Sequence, residues 1–114
     1  MLYQDIEFPM NESRAAYVYM LANVKRNVLY VGATTDLGNR VYLHKKRLVP
    51  GFTRKYNVTR LVYFESHSSI EEARERERQL KGKSRAKKNT IIESLNPFWP
   101  EIEPPKQVEL SDPS

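Results

Sequence analysis

Hydrophobic positions along this chain change period several times, and each change marks an element. From Ala16 to Leu21 the residues are apolar or aromatic almost without a break, and Val28 to Gly32 repeats the pattern after a polar link at Asn23 to Asn27. Two β-branched and aromatic runs split by a short polar link predict a β-hairpin. Gly32 closes the second strand, and Thr34-Thr35-Asp36 supplies helix-start chemistry. A helix is expected from about Asp36 to Leu48, with Leu37, Val41 and Leu48 on its apolar stripe, and Pro50-Gly51 stops it. A basic loop then leads to a third strand, Arg60 to Glu65. Ser68 and Ser69 precede Glu71 and Glu72 at capping-box spacing, opening a helix through Lys81 that is interrupted near Gly82. A last helix is expected over Ala86 to Leu95, turning Ile91, Ile92 and Leu95 inward and ending at Asn96-Pro97. The order β-β-α-β-α-α predicts an α+β domain, a three-stranded antiparallel sheet flanked by helices. Residues 1–14 read as a lead-in, residues 15–99 as the domain, and residues 100–114 as a flexible acidic tail containing Pro104-Pro105.

The helix that begins near Ile70 breaks its own pattern. At about 100° per residue, Ile70, Ala73 and Leu80 share one sector, and Glu77 falls inside it. A carboxylate on a core-facing stripe is costly to desolvate unless it is paired or holds a cation. Glu77 is therefore either half of a buried ion pair with an arginine or a metal ligand at the floor of a site. The first helix repeats the anomaly, because Arg40 and His44 lie on or beside its stripe, one turn apart. In the hairpin, Tyr17 and Tyr19 share one face of the first strand, and Tyr30 and Gly32 share one face of the second. Pairing Tyr19 opposite Tyr30 would bring two phenols together beside a glycine that leaves room for a ligand.

With 114 residues the chain is the size of one domain, and a mean hydropathy of −0.68 suits a modest core. The absence of cysteine excludes disulfides and thiolate zinc sites. No apolar run approaches the roughly 20 residues of a membrane span, so a cytoplasmic protein without membrane contact is expected. Charge is unevenly placed. Residues 25–88 hold 17 Lys/Arg against 6 Asp/Glu, a net of +11, while both ends are mildly acidic. A basic centre predicts a polyanion partner, with Lys45, Lys46, Arg54, Lys55 and Lys81 as candidate nucleic-acid contacts.

Taken in order, Tyr17-Val18-Tyr19, Tyr30-Val31-Gly32, Asp36-Leu37-Gly38-Asn39-Arg40-Val41, His44, Glu77-Arg78-Gln79-Leu80-Lys81 and Asn96-Pro97-Phe98-Trp99 form a recognisable set. The chain resembles the GIY-YIG nuclease superfamily, in particular small stand-alone bacterial members similar to the N-terminal nuclease domain of the bacterial repair excinuclease. The resemblance spans about Ala16 to Trp99. Two positions depart from the family pattern: Tyr17 replaces the first glycine, and Ala33 stands where excinuclease-type members often carry lysine.

The resemblance implies a metal-dependent endonuclease that hydrolyses DNA phosphodiester bonds. It implies Glu77 as ligand to Mg²⁺ or Mn²⁺, and Tyr19, Tyr30, Arg40 and His44 as catalytic residues. The chemistry of these residue types agrees. Mg²⁺ keeps much of its water, so one carboxylate is a sufficient protein share, and a guanidinium suits charge on phosphoryl oxygens. A phenol or imidazole takes the attacking water's proton, and Tyr19, Tyr30 and His44 all remain candidates for that role. Without a second DNA-reading module, structure-selective cleavage in DNA repair or processing is the expected activity, by a monomer or weak dimer, with RNA still open. Two other classes compete. One is a non-catalytic nucleic-acid-binding module, supported by the basic surface and by Phe52 and Tyr56. The other is a protein-interaction domain using the acidic tail.

Overall fold

The computed structural model describes residues 15–105. Its elements are β1 (Ala16–Ala22), β2 (Leu29–Thr34), α1 (Leu37–Lys45), α2 (Phe52–Tyr56), β3 (Arg60–His67), α3 (Ile70–Lys81) and α4 (Arg85–Leu95). The α+β class and the strand and helix order are as the sequence predicts, with one short helix, α2, added in the expected loop. The lead-in at residues 1–14 and the tail beyond residue 105 lie outside the described residues.

β1 is the central strand of an antiparallel sheet ordered β2-β1-β3. That position explains its unbroken apolar run, since both of its faces are covered. Alternation does the sorting. Ala16, Val18, Met20 and Ala22 turn to one face, where Ala73 and Leu80 of α3, Ile92 of α4, and Trp99 close a core. Tyr19 and Leu21 turn to the other face, against Leu37 and Val41 of α1 and against Val58 and Leu61. The sheet is thus a middle layer between α3/α4 and α1. Leu80 and Ile92 are fully buried, and each such side chain contributes roughly 1.5–3 kcal/mol.

The hairpin register differs from expectation. Tyr19 stands opposite Gly32, and Tyr30 stands opposite Leu21. The cause is the link: the Asn23 side chain accepts from the amides of Asn27 (3.0 Å) and Val28 (3.1 Å), and Arg26 takes a left-handed φ of 62°. That loop fixes Ala22 opposite Leu29.

α1 starts where predicted, with Asp36 accepting from the Asn39 amide at 3.2 Å. It ends at Lys45, before Leu48. Arg47 adopts φ 60°, and the amides of Arg47 and Leu48 close on the carbonyls of His44 and Leu43 (both 2.9 Å), a Schellman ending built without glycine. Leu48 consequently lies off the stripe, exposed. α3 begins at Ser69, whose hydroxyl caps the Glu72 amide (3.1 Å), while the Glu72 carboxylate reaches the Ser68 amide (3.2 Å). At the end of α4 the inward position is Asn96, one turn after Ile92, and Leu95 is exposed. Asn96 donates to the carbonyls of Val62 and Pro100 (both 2.9 Å), tying the helix end to β3. Residues 100–105 form neither helix nor strand. Ile102 nevertheless donates its amide to the Leu61 carbonyl (2.9 Å) and packs on the α1-side core, covering part of the exposed β3 edge.

Candidate active site

Tyr19 is the hub. Its ring is 1% exposed and rests over Gly32 on the neighbouring strand. A Cβ at Gly32 would come within 2.5 Å of the Tyr19 Cζ and hydroxyl oxygen. The glycine therefore makes room for the tyrosine ring rather than for a ligand, which corrects the sequence expectation.

A polar chain runs from that hydroxyl. The Tyr19 oxygen lies 3.3 Å from His44 Nε2, and His44 Nδ1 lies 3.0 Å from the Thr53 hydroxyl. Arg40 also hydrogen-bonds to the Tyr19 oxygen and acts on it through its charge. Arg40 has only donors, so toward it the Tyr19 oxygen accepts, while the direction of the Tyr19–His44 bond follows the imidazole tautomer. A neutral His44 accepts at one ring nitrogen and donates at the other, so it bonds Tyr19 and Thr53 at once. Burial, with the charge of Arg40 added, pushes the His44 pKa down to about 4, consistent with that neutral imidazole.

The remaining candidates act on the same point. Tyr30 is half-buried, with its ring 5.4 Å from that of His44 and 6.2 Å from that of Tyr19. The Tyr19 pKa is raised well above the phenol range, first by burial and next by Tyr30. Arg40 pulls it down, and Glu77 adds a smaller upward push. Glu77, on α3, is 21% exposed and bonds Lys81 Nζ at 2.8 Å. Residues from β1, β2 and α1 thus gather at one oxygen, on which Glu77 of α3 acts through its charge. Arg40 is 4% exposed, so the site presents its charge to a phosphate more than the broad face of its guanidinium.

The basic candidates are dispersed. Lys45 pairs with Glu101, and Lys81 pairs with Glu77. Lys46 lies over the Tyr42 ring at 5.7 Å. Arg54 and Lys55 are exposed on α2, where Phe52 and Tyr56 stack at 5.0 Å. Thr53 is the residue that sequence reasoning missed. It sits on the inner side of α2, and only a helical reading of Phe52 to Tyr56 separates it from its exposed neighbours.

Among the described residues no group of three or more His, Cys, Asp or Glu could cage a metal. The donor set here is one carboxylate that already holds a cationic Lys81, beside phenols and a neutral histidine. That set fits a hard, largely hydrated cation such as Mg²⁺ or Mn²⁺, and not zinc.

Comparison with known proteins identifies the family. The GIY-YIG catalytic domain profile matches residues 15–90. The chain belongs to the GIY-YIG nuclease family. Among its relatives, the UPF0213 protein SH2523 of Staphylococcus haemolyticus is 38% identical over 77 residues, spanning 68% of this chain and 93% of the relative. The UPF0213 protein CPE1444 of Clostridium perfringens is 36% identical over 78 residues, spanning 68% of this chain and 83% of the relative. A solution NMR structure of the UPF0213 protein BH0048 from Bacillus halodurans is 32% identical, covers 72% of this chain and 86% of that one, and superposes with a TM-score of 0.47. This GIY-YIG chain has no helix, among its described residues, long and apolar enough to cross a membrane.

The His44 environment carries a pH prediction. Its native pKa, about 4, is below the ordinary 6.5, so between these values the unfolded chain binds more protons than the native one. Stability is full above pH 6.5 and is lost as pH falls toward 4, by up to about 3 kcal/mol. Denaturant titrations across this window should show that slope in the wild type and a flatter one in His44→Gln.

Proposed function

We propose that this GIY-YIG domain is a metal-dependent endonuclease acting on DNA, selective for strand structure rather than sequence. One observation supports the reading above all: Tyr30 of β2, Arg40 and His44 of α1 and Glu77 of α3 all act on the Tyr19 hydroxyl, Glu77 through its charge alone. Glu77 would hold the Mg²⁺ or Mn²⁺ ion. When bound, such an ion polarises the phosphate and stabilises the leaving oxygen.

The chain's own residues divide the remaining work. Tyr30 is the more accessible of the two phenols and is the group we assign to take the attacking water's proton. Tyr19 is too buried, and its proton too firmly held, to serve as that base. It positions His44 and Arg40, and Arg40 sets a fixed positive field beneath the phosphate, worth most where water is excluded. His44, neutral and bonded at both nitrogens, orients Tyr19. Phe52, Arg54, Lys55 and Tyr56 lie on the solvent side of α2, where nucleic acid entering the site would meet them, with Lys45 and Lys46 on the adjoining end of α1. Lesions, branches or single strands in DNA repair or processing are the substrates this reading favours.

Purified protein should cut or nick supercoiled plasmid, or branched or single-stranded DNA, with Mg²⁺ or Mn²⁺ and not with EDTA. In the same assay Tyr30→Phe should lose about 10²–10⁴-fold, the usual share of a proton-transfer group. Cleavage that survives EDTA, or none on any DNA or RNA substrate, would count against the proposal. The Glu77–Lys81 pair also supports a second reading, a binding module without chemistry, because there it is merely a surface i,i+4 contact.

A further inference from the structure

The junction of α3 and α4 carries charge that the active site does not use. From Arg78 to Lys88 there are six Lys/Arg and no Asp or Glu. The backbone there folds into a groove of about 500 Å³ lined by Arg78, Gln79, Gly82, Lys83, Ser84 and Lys87. Arg78 is partly neutralised by Glu75. Arg85 is committed to the Asn89 side chain and to the carbonyls of Arg26 and Asn27. Lys83 and Lys87 are different: both line the groove, and among the described residues neither has a carboxylate partner. Ser84 caps α4 by accepting from the Lys87 amide at 3.1 Å, so the positive end of that helix adds to the same field.

We infer that this groove binds the phosphate backbone of the nucleic acid flanking the cleaved bond. The inference rests on the nuclease reading of the Glu77 site. Glu77 and Gly82 are five residues apart on and just past α3, about 7.5 Å along its axis and about 140° around it. A backbone held at Glu77 thus reaches the groove by passing round α3, so the groove engages phosphates farther along the strand than the one being cleaved. Ammonium groups without a carboxylate partner suit this role, because they bind phosphates as point charges without first breaking a protein ion pair. With no base-reading element in the groove, the contact is indifferent to sequence.

The test is equilibrium binding of a fluorescent duplex oligonucleotide in EDTA, measured over a range of salt. Binding does not depend on catalysis under these conditions. For Lys83→Ala/Lys87→Ala the slope of log affinity against log salt should become shallower by about 1.8, two phosphate contacts at 0.9 each. Lys83→Arg/Lys87→Arg should restore it. Among the described residues neither lysine has a carboxylate partner, so an unchanged melting temperature confirms that the fold is intact. An unchanged slope in the double alanine variant, when the wild type binds and cleaves, would overturn the groove assignment alone. A wild type that binds no nucleic acid would overturn both this inference and the nuclease reading. A variant that loses binding to anionic lipid vesicles and keeps its oligonucleotide slope would also overturn it.

Discussion

Glu77→Ala should lower cleavage by at least about 10³-fold while leaving the folded protein nearly as stable as wild type. A metal ion carries several kcal/mol of transition-state stabilisation, and each 1.36 kcal/mol is tenfold in rate. The stability half of the expectation follows from geometry. Had Glu77 been half of a buried pair with an arginine, truncation would strand that arginine at a cost of about 3–5 kcal/mol. The partner the structure gives it is Lys81, one helical turn on, with the lysine side chain 54% exposed. Such pairs contribute only about 0.3–0.5 kcal/mol. DNA binding in EDTA should hold or tighten, because a negative charge has left a phosphate-facing site. Cleavage, binding and melting measured on this one variant separate the roles. A large melting loss with unchanged cleavage per folded molecule would make Glu77 a structural residue.

The parts of the fold that were legible in the sequence are those whose pattern is local. β1 reads as a buried strand because seven consecutive residues have strand character, and α3 reads as a helix because Ser69, Ala73 and Leu80 carry cap and stripe within one segment. What was hidden depends on contacts between segments. α2 follows Pro50-Gly51, which reads as a stop. Gly51 in fact takes φ 97° and launches one more helical turn. Nothing near Thr53 announces a histidine nine residues earlier, although that contact joins α2 to the site. The hairpin register was two residues off for Tyr19 because the Asn23 side chain, and not the strands, sets it. Glu77, Arg40 and His44 could be singled out because each offends a hydrophobic stripe. Their relation could not be read from periodicity, since α1 and α3 cover opposite faces of the sheet and Glu77 acts on Tyr19 only through its charge.

Gly32→Ala tests the packing around Tyr19 through stability. Gly32 has no left-handed φ, so the backbone accepts alanine. At such a position alanine ordinarily stabilises by about 0.4–1 kcal/mol, by restricting the unfolded chain. Here the sign should reverse. The new methyl would sit 2.5 Å from the Tyr19 Cζ and hydroxyl oxygen and 2.8 Å from Cε1. The ring cannot simply swing aside: it is buried under α1, and its hydroxyl is held by His44 and Arg40. Overpacking of this kind costs about 1–3 kcal/mol, which in a domain this small lowers the melting temperature by roughly 4–8 °C per kcal/mol. Cleavage should fall with it, since moving the Tyr19 hydroxyl releases both Arg40 and His44. A double-mutant cycle isolates the cause. In a Tyr19→Leu background the obstructing ring is gone, so adding Gly32→Ala should cost nothing or stabilise slightly. If Gly32→Ala alone melts at or above the wild-type temperature, the Tyr19 ring is free to move, and the site is not held by the packing described here.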